Sequence, residues 1–259
     1  MDLADVAARV AFAIQAVQER ARDLSLAYGI QLRGSLHRDP GGRYLRFDDL
    51  NSRRVVLAVH SLFYELAILR DVVSEFLARF VFAFPSGEPQ LPRTMRGLCR
   101  RLRREAVDHP LAFEIAHATD STSQPPGWLA VLSAYRNLFT HVAPLEQVAG
   151  HSFAVRHPLV LADGRELQIL YHALPGNPIE VERTRGERFP YANFDEWATA
   201  SAAHVPARET QPDALEKLHD YVNQLVQLCG KVADHSPVRG EMVHLSDSDM
   251  VGPVTMRRA

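Results

Sequence analysis

Trp128-Leu129-Ala130-Val131-Leu132-Ser133-Ala134-Tyr135-Arg136-Asn137-Leu138-Phe139-Thr140-His141 reads as an amphipathic helix that carries an unusual polar trio. Pro125-Pro126 precedes it and Pro144 follows, so both ends are marked by residues that cannot continue a helix. With Arg136 at zero and about 100° per residue, Trp128, Val131, Leu132, Tyr135, Leu138, Phe139 and Val142 fall between about 200° and 320°. Asn137 lies near 100° and His141 near 140° on the same wheel. These two are i,i+4 neighbours, on a face turned away from the helix's own apolar stripe, with Arg136 on its flank.

The flanking sequence is helical too. Leu3, Ala7, Val10, Ile14, Val17, Ala21, Leu24 and Tyr28 recur at alternating spacings of four and three, predicting a helix over 2–28 that stops at Gly29. Residues 30–47 read as a loop, with a short hairpin around Asp39-Pro40-Gly41-Gly42. Asp48, Asp49, Asn51 and Ser52 offer N-caps for a long helix of roughly 45 Å that ends at Phe84, before Pro85. Val55, Val59, Leu62, Leu66, Leu69, Val73, Phe76 and Phe80 form its main stripe. A helix over 93–107 and a shorter one over 110–118 follow, and helical signals return over Phe194–Ala203 and 211–233. In the last helix Leu215, Leu218, Val222, Leu225, Val226 and Cys229 form the expected stripe.

Only from 151 does the period change. Residues 152–161 and 166–174 are short apolar runs on either side of Ala162-Asp163-Gly164-Arg165, a strong hairpin signal. Ile179 to Thr184 offers a third strand. The fold class expected is therefore mainly α, with a small β-hairpin or β-sheet insertion. His151, His157 and His172 lie in this insertion, but their spacing matches no familiar metal-ligand pattern.

Composition narrows the function classes. The chain has 259 residues and a formal net charge of -2, which names no partner. Of its 29 basic residues only Lys217 and Lys231 are lysines. A GC-rich genome explains that bias, and bidentate phosphate binding by arginine is the functional alternative. Cys99 and Cys229 form no disulfide framework, so a reducing cytoplasm is expected, and no signal peptide or membrane span is read. No G-x-x-x-x-G-K-[ST] loop, G-x-S-x-G elbow or zinc-type cysteine pair occurs.

Two clusters carry chemistry. Arg96, Arg100, Arg101, Arg103 and Arg104 form a candidate RNA-binding strip or, equally, a solvated helix face. Arg136, Asn137 and His141 form the candidate catalytic set. Arginine clamps a phosphodiester and stabilises the charge that develops on it. A histidine moves protons to or from a ribose 2′-hydroxyl or the leaving oxygen. The C-terminal end of a helix favours its protonated form. Asn137 can orient either group, and such a site needs no metal.

Arg136-Asn137-Leu138-Phe139-Thr140-His141 resembles the R-[polar]-x-x-x-H signature of the HEPN superfamily, all-helical domains that include many metal-independent endoribonucleases. The resemblance implies a homodimer in which two Arg/His pairs line one composite cleft, with no cofactor. It implies 2′-hydroxyl attack on the adjacent phosphate of RNA, and a toxin or phage-defence setting with an antitoxin or other defence partner. It assigns Arg136 to phosphate binding, His141 to acid/base work and Asn137 to orientation. The bundle would occupy 1–150, the β insertion 151–190 and completing helices 191–235, with a mobile tail over 236–259. The tyrosine that one family variant carries two residues after the histidine is replaced by Ala143.

Two other readings compete. Glu114-x-x-His117 and Glu216-x-x-His219, with Glu65 or Glu75, would suit a di-iron bundle. The same helices could also serve as a non-catalytic dimerisation or RNA-binding module. Outside the trio, His60 and Glu65 on the long helix are the first residues to compare with the site.

Overall fold

The computed structural model describes residues 3–35, 44–46, 50–86, 91–141, 147–148, 151–172, 174, 177–180 and 213–236. The described chain is mainly helical. Helix α1 spans Leu3–Ser35 and α2 Leu50–Phe76, the latter extended by a π-helical turn at Leu77–Val81. Then come α3 (Met95–Glu105), α4 (Pro110–Ala118), α5 (Trp128–His141) and α6 (Ala214–Asp234). Among the described residues no helix is long and apolar enough to cross a membrane.

Helix α2 is the axis of the bundle, because α1, α3, α5 and α6 all pack against it. Its Val55, Val59, Leu62, Leu66, Leu69 and Val73 are buried as their spacing requires. Helices α1 and α2 run antiparallel: Arg9 reaches Glu75 at 2.8 Å at one end, and Gln31 reaches Ser52 at 3.0 Å at the other. Phe63 of α2 meets the rings of Tyr135, Phe139 and Tyr221, which joins α2, α5 and α6 in one core.

Helix α1 does not stop at Gly29. It runs a turn and a half further, because Gln31 makes contacts that a continued helix places. The Tyr28 hydroxyl donates to Asp213 at 3.0 Å, and Gln31, 2% exposed, bonds both Ser52 and His172. A mid-helix glycine costs about 1 kcal/mol relative to alanine, less than this packing supplies. The loop expected over 30–47 is thus helical as far as Ser35, and Tyr44–Arg46 is a strand, β1. The hairpin expected around 39–42 lies outside the described residues.

The long helix also ends differently. Its α-helical part closes at Phe76, and by Phe82 the backbone is extended. Pro85 disfavours helical geometry at Phe84. The wider π turn delivers Phe82 into the core and Phe84 against Arg101. Helix α5 begins at Trp128, after a glycine that the packing demands. A Cβ at Gly127 would collide with the backbone oxygens of His117 and Ala118, where α4 ends against the start of α5.

Strands β2 (Gln147–Val148), β3 (His151–Val160) and β4 (Glu166–Tyr171) follow α5. Strand β3 is central: it pairs antiparallel with β1 through Phe153–Val155, with β2 through His151 and Ser152, and with β4 through Val155–Val160. Gly164, at φ 82°, makes the β3–β4 turn, and Asp163 accepts the Arg165 N–H at 3.1 Å. Pro158 sits beyond the stretch that β1 covers, where a missing N–H is tolerated. The third strand expected from Ile179 does not begin there: residues 178–180 form a helical turn, with Asn177 accepting the Glu180 N–H at 3.1 Å. Residues 194–203 and 237–259, read from sequence as a helix and a tail, lie outside the described residues.

Helix α6 is capped by Asp213, whose side chain accepts the Leu215 N–H at 3.1 Å. Its buried face is rotated from the expected stripe. Tyr221, Leu228 and Val232 are buried beside Leu218 and Leu225, while Val226 is 52% exposed.

Candidate active site

Helices α2 and α5 run antiparallel, so the second half of α5 faces the first half of α2. Arg70 donates to Ser133 at 2.6 Å, and one end further on the His60 ring stacks on Phe139 at 5.2 Å and 22°. Between them opens a cleft of about 440 Å³. Helix α5 contributes Arg136, Phe139 and Thr140, which occupy neighbouring positions around the helix. Helix α2 contributes His60, Ser61, Tyr64 and Glu65, whose spacing of one, three and one puts them on one face, with buried Phe63 behind. Arg20 of α1 closes one side and is itself bridged to Asp23 at 2.8 Å.

Arg136 is the residue this cleft is built around. Its Nη1 donates to the Asn137 side-chain oxygen at 3.1 Å, which fixes the plane of the guanidinium. Its Nε is shielded from solvent and has no hydrogen-bond partner among the described residues. A buried guanidinium N–H without an acceptor is costly, and an anionic oxygen entering the cleft would satisfy it. His60 is half-buried, and burial lowers its pKa below the ordinary imidazole value, so it is neutral over a wider range. Glu65 makes no hydrogen bond or ion pair with any described residue, and Tyr64 is 52% exposed.

Two members of the expected catalytic trio, Arg136 and Asn137, are described with their side chains. Arg136 and Asn137 are joined directly. His141 ends α5, about 140° around the helix from Arg136, and its side chain lies outside the described residues. Ala134, about 20° beyond His141 on the same wheel, is 1% exposed, so α5 is covered at that position. The imidazole brought to the Arg136 cleft among the described residues is His60. The signal for it was present in the sequence, since His60, Ser61, Tyr64 and Glu65 form a polar and aromatic patch beside the apolar stripe of α2.

The arginine strip also separates on folding. Arg96, Arg100 and Arg103 are exposed and fall within about 60° of each other on α3. Arg101 points elsewhere: it is 5% exposed, its Nε donates to Glu105 at 2.9 Å, and its guanidinium lies 4.3 Å over the Phe84 ring. Its assignment to RNA binding is therefore corrected to a packing role. Arg104 is exposed but also contacts Glu105, at 3.2 Å. Burial works against ionisation of Glu105, yet hydrogen bonds from Ser86, Arg104 and Arg101 hold its carboxyl at about 2. The first residue of α3 is anchored on α2, where Asp71 accepts the Met95 N–H at 3.0 Å, roughly 16 Å along α2 from His60.

The di-iron reading fails on geometry, because its ligands are committed separately. Glu75 is held by Arg9 at 2.8 Å and Arg79 at 2.9 Å, Glu114 by Lys231 at 2.6 Å, and His219 by Ser25 at 3.3 Å. No group of three metal-ligating side chains occurs among the described residues. His172 is a core residue, 0% exposed, bonded to Gln31 and set edge-on to Tyr28.

Compared with family models, curated proteins and solved structures, the chain matches none.

Proposed function

We propose that this chain is a metal-independent endoribonuclease of the HEPN type, acting as a homodimer on RNA. The observation that carries the reading is Arg136: a cation in an open cleft, oriented by Asn137, with a shielded Nε that finds no acceptor among the described residues. A phosphodiester supplies the missing acceptor oxygens, and its charge rises in the transition state, where a fixed guanidinium is most effective. Neutral His60 takes the proton from the 2′-hydroxyl. His141, at the C-terminal end of α5, returns one to the leaving 5′-oxygen, from this copy or its partner. The 2′-oxygen bonds to phosphorus as the 5′-oxygen departs, leaving a 2′,3′-cyclic phosphate and a 5′-hydroxyl.

Exposed apolar residues on α2 support the dimer reading. Leu50 and Leu57, one heptad apart, are 63% and 65% exposed, on the stripe that leads to Tyr64 at the cleft. A second copy docked there would wall the cleft without filling it. A setting in growth control or phage defence, with an antitoxin or other defence partner, follows from the motif resemblance.

The test is cleavage of end-labelled RNA in excess EDTA. The expected products carry 2′,3′-cyclic phosphate and 5′-hydroxyl ends, and are lost with Arg136→Ala. Products with 5′-phosphate and 3′-hydroxyl ends, or an Arg136→Ala variant as active as wild type, would overturn the reading.

A further inference from the structure

The cleft holds more than a phosphate clamp and an imidazole, and the remaining groups have their own chemistry. Glu65 is a half-buried carboxylate with no cation and no donor among the described residues, although Arg20 and Arg136 line the same cleft. Beside it Tyr64 presents an aromatic face to solvent. We infer that Tyr64 and Glu65 form a nucleobase subsite selective for guanine, placed next to the phosphate held by Arg136. This rests on the nucleotide-binding reading of the cleft and names the base it takes.

An ionised carboxylate only accepts hydrogen bonds, so it selects an edge made of adjacent donors. Guanine alone among the RNA bases offers two side by side on its Watson–Crick edge, N1–H and the 2-amino group, and a carboxylate can take both. Adenine and cytosine each offer a single amino group flanked by a ring acceptor that would face the carboxylate. Uracil offers one N–H between two carbonyls. Unpaired bases are read in this way, edge by hydrogen bond and face by stacking on an aromatic ring. Residues 61, 64 and 65 share one face of α2, and Arg136 stands on the facing helix. Base and phosphate would therefore be gripped from opposite walls, in a volume of about 440 Å³ that suits one nucleotide.

Two arms test this, on the full chain. Binding of 3′-GMP, 3′-AMP, 3′-CMP and 3′-UMP is measured by calorimetry, and cleavage is measured on single-stranded oligonucleotides that differ at one position. Wild type should bind 3′-GMP roughly tenfold more tightly than the other three. It should cut beside guanosine with a similar preference, and lose most of it when inosine, which lacks the 2-amino group, replaces guanosine. Glu65→Gln should reduce 3′-GMP affinity about tenfold and level the four bases. Tyr64→Ala should weaken all four, whereas Tyr64→Phe should keep the wild-type order. Equal binding of the four nucleotides by wild type, or a guanine preference that survives Glu65→Gln, would overturn the subsite. Selective 3′-GMP binding without any cleavage would leave the subsite standing, as a site for free guanine nucleotide, and sink the nuclease.

Discussion

Arg101 on α3 donates to Glu105 at 2.9 Å and to Ser86 at 3.3 Å, and covers the Phe84 ring at 4.3 Å. Arg136 on α5 donates to Asn137 at 3.1 Å and keeps a shielded Nε with no acceptor among the described residues. The two side chains are chemically identical, Arg101 buried and Arg136 half-buried at the wall of the cleft. One belongs to the most arginine-rich stretch of the sequence, yet its donors are spent inside the protein. The other is the single arginine or lysine of its own helix and is left wanting an anion. Density of charge in a sequence measures what is available before folding. A binding site depends on which donors remain unspent afterwards, and here that is the cleft rather than the strip.

The largest effect should come from exchanging the fates of these two residues. Arg136→Ala should slow RNA cleavage roughly a hundredfold or more, as removal of one charge-stabilising group does elsewhere. Its melting temperature should barely move, because the lost hydrogen bond is a local one to Asn137. Arg101→Ala should behave in reverse. It removes one partner of a buried pair and uncovers Phe84, so the melting temperature should fall by roughly 5 °C or more, with cleavage per folded molecule near wild type. Thermal melts alongside single-turnover rates read both quantities. If Arg101→Ala abolished cleavage while melting normally, the contrast drawn between the two arginines would be wrong.

A pH series separates the two regions next. Glu105 has a folded pKa of about 2 against an ordinary glutamate value of 4.5. A carboxyl depressed in this way stabilises the fold fully above its unfolded pKa, and that stability drains away as pH falls from 4.5 through about 2. Glu105→Gln should flatten this part of the acid-denaturation curve. His60 answers in a higher window. Its folded pKa lies below 6.5, so acidification from that value first charges the unfolded chain, and stability falls until His60 itself is protonated. Cleavage that uses His60 as base should persist below the usual imidazole range and then drop, and His60→Gln should remove that acid limb along with most of the rate. An acid limb unchanged in His60→Gln would take His60 out of the mechanism.

Much of the helical frame was legible because its signals are local. The stripe of α2, the asparagine–arginine pair of α5, and the Asp163-Gly164 turn depend on neighbours a few residues apart. What depends on a second element was not legible. Helix α6 has two apolar edges, and only packing against Phe63 and Tyr135 selects the one that carries Tyr221. Gly29 looks like a terminus until Gln31 is seen bonded to Ser52 and His172 across the bundle. Arg101 is instructive in another way: Glu105, four residues on, was a visible partner, and the i,i+4 relation alone predicts that this arginine is spent. The Arg136 half of the cleft could be read from one helix. The His60, Tyr64 and Glu65 half could not be joined to it without knowing that α2 and α5 are antiparallel neighbours.

The smallest expected effect concerns what is left of the strip. With Arg101 turned inward, Arg96, Arg100 and Arg103 remain exposed on one face of α3, a helix that starts well along α2 from the cleft. Exposed arginines that meet RNA act through displaced counterions, so their contribution appears in the salt dependence of binding and not in the chemical step. Replacing all three with glutamine should cost a severalfold loss of RNA affinity at physiological salt and lower the log–log salt slope by about two, close to 0.7 per phosphate contact on a single strand. The single-turnover rate at saturating RNA should stay at the wild-type value. An unchanged salt slope would make α3 a solvated face and leave the cleft as the sole RNA contact proposed. A collapse of the saturated rate would instead mean that α3 reaches the reacting phosphate, and the division between spent and unspent arginines would have to be redrawn.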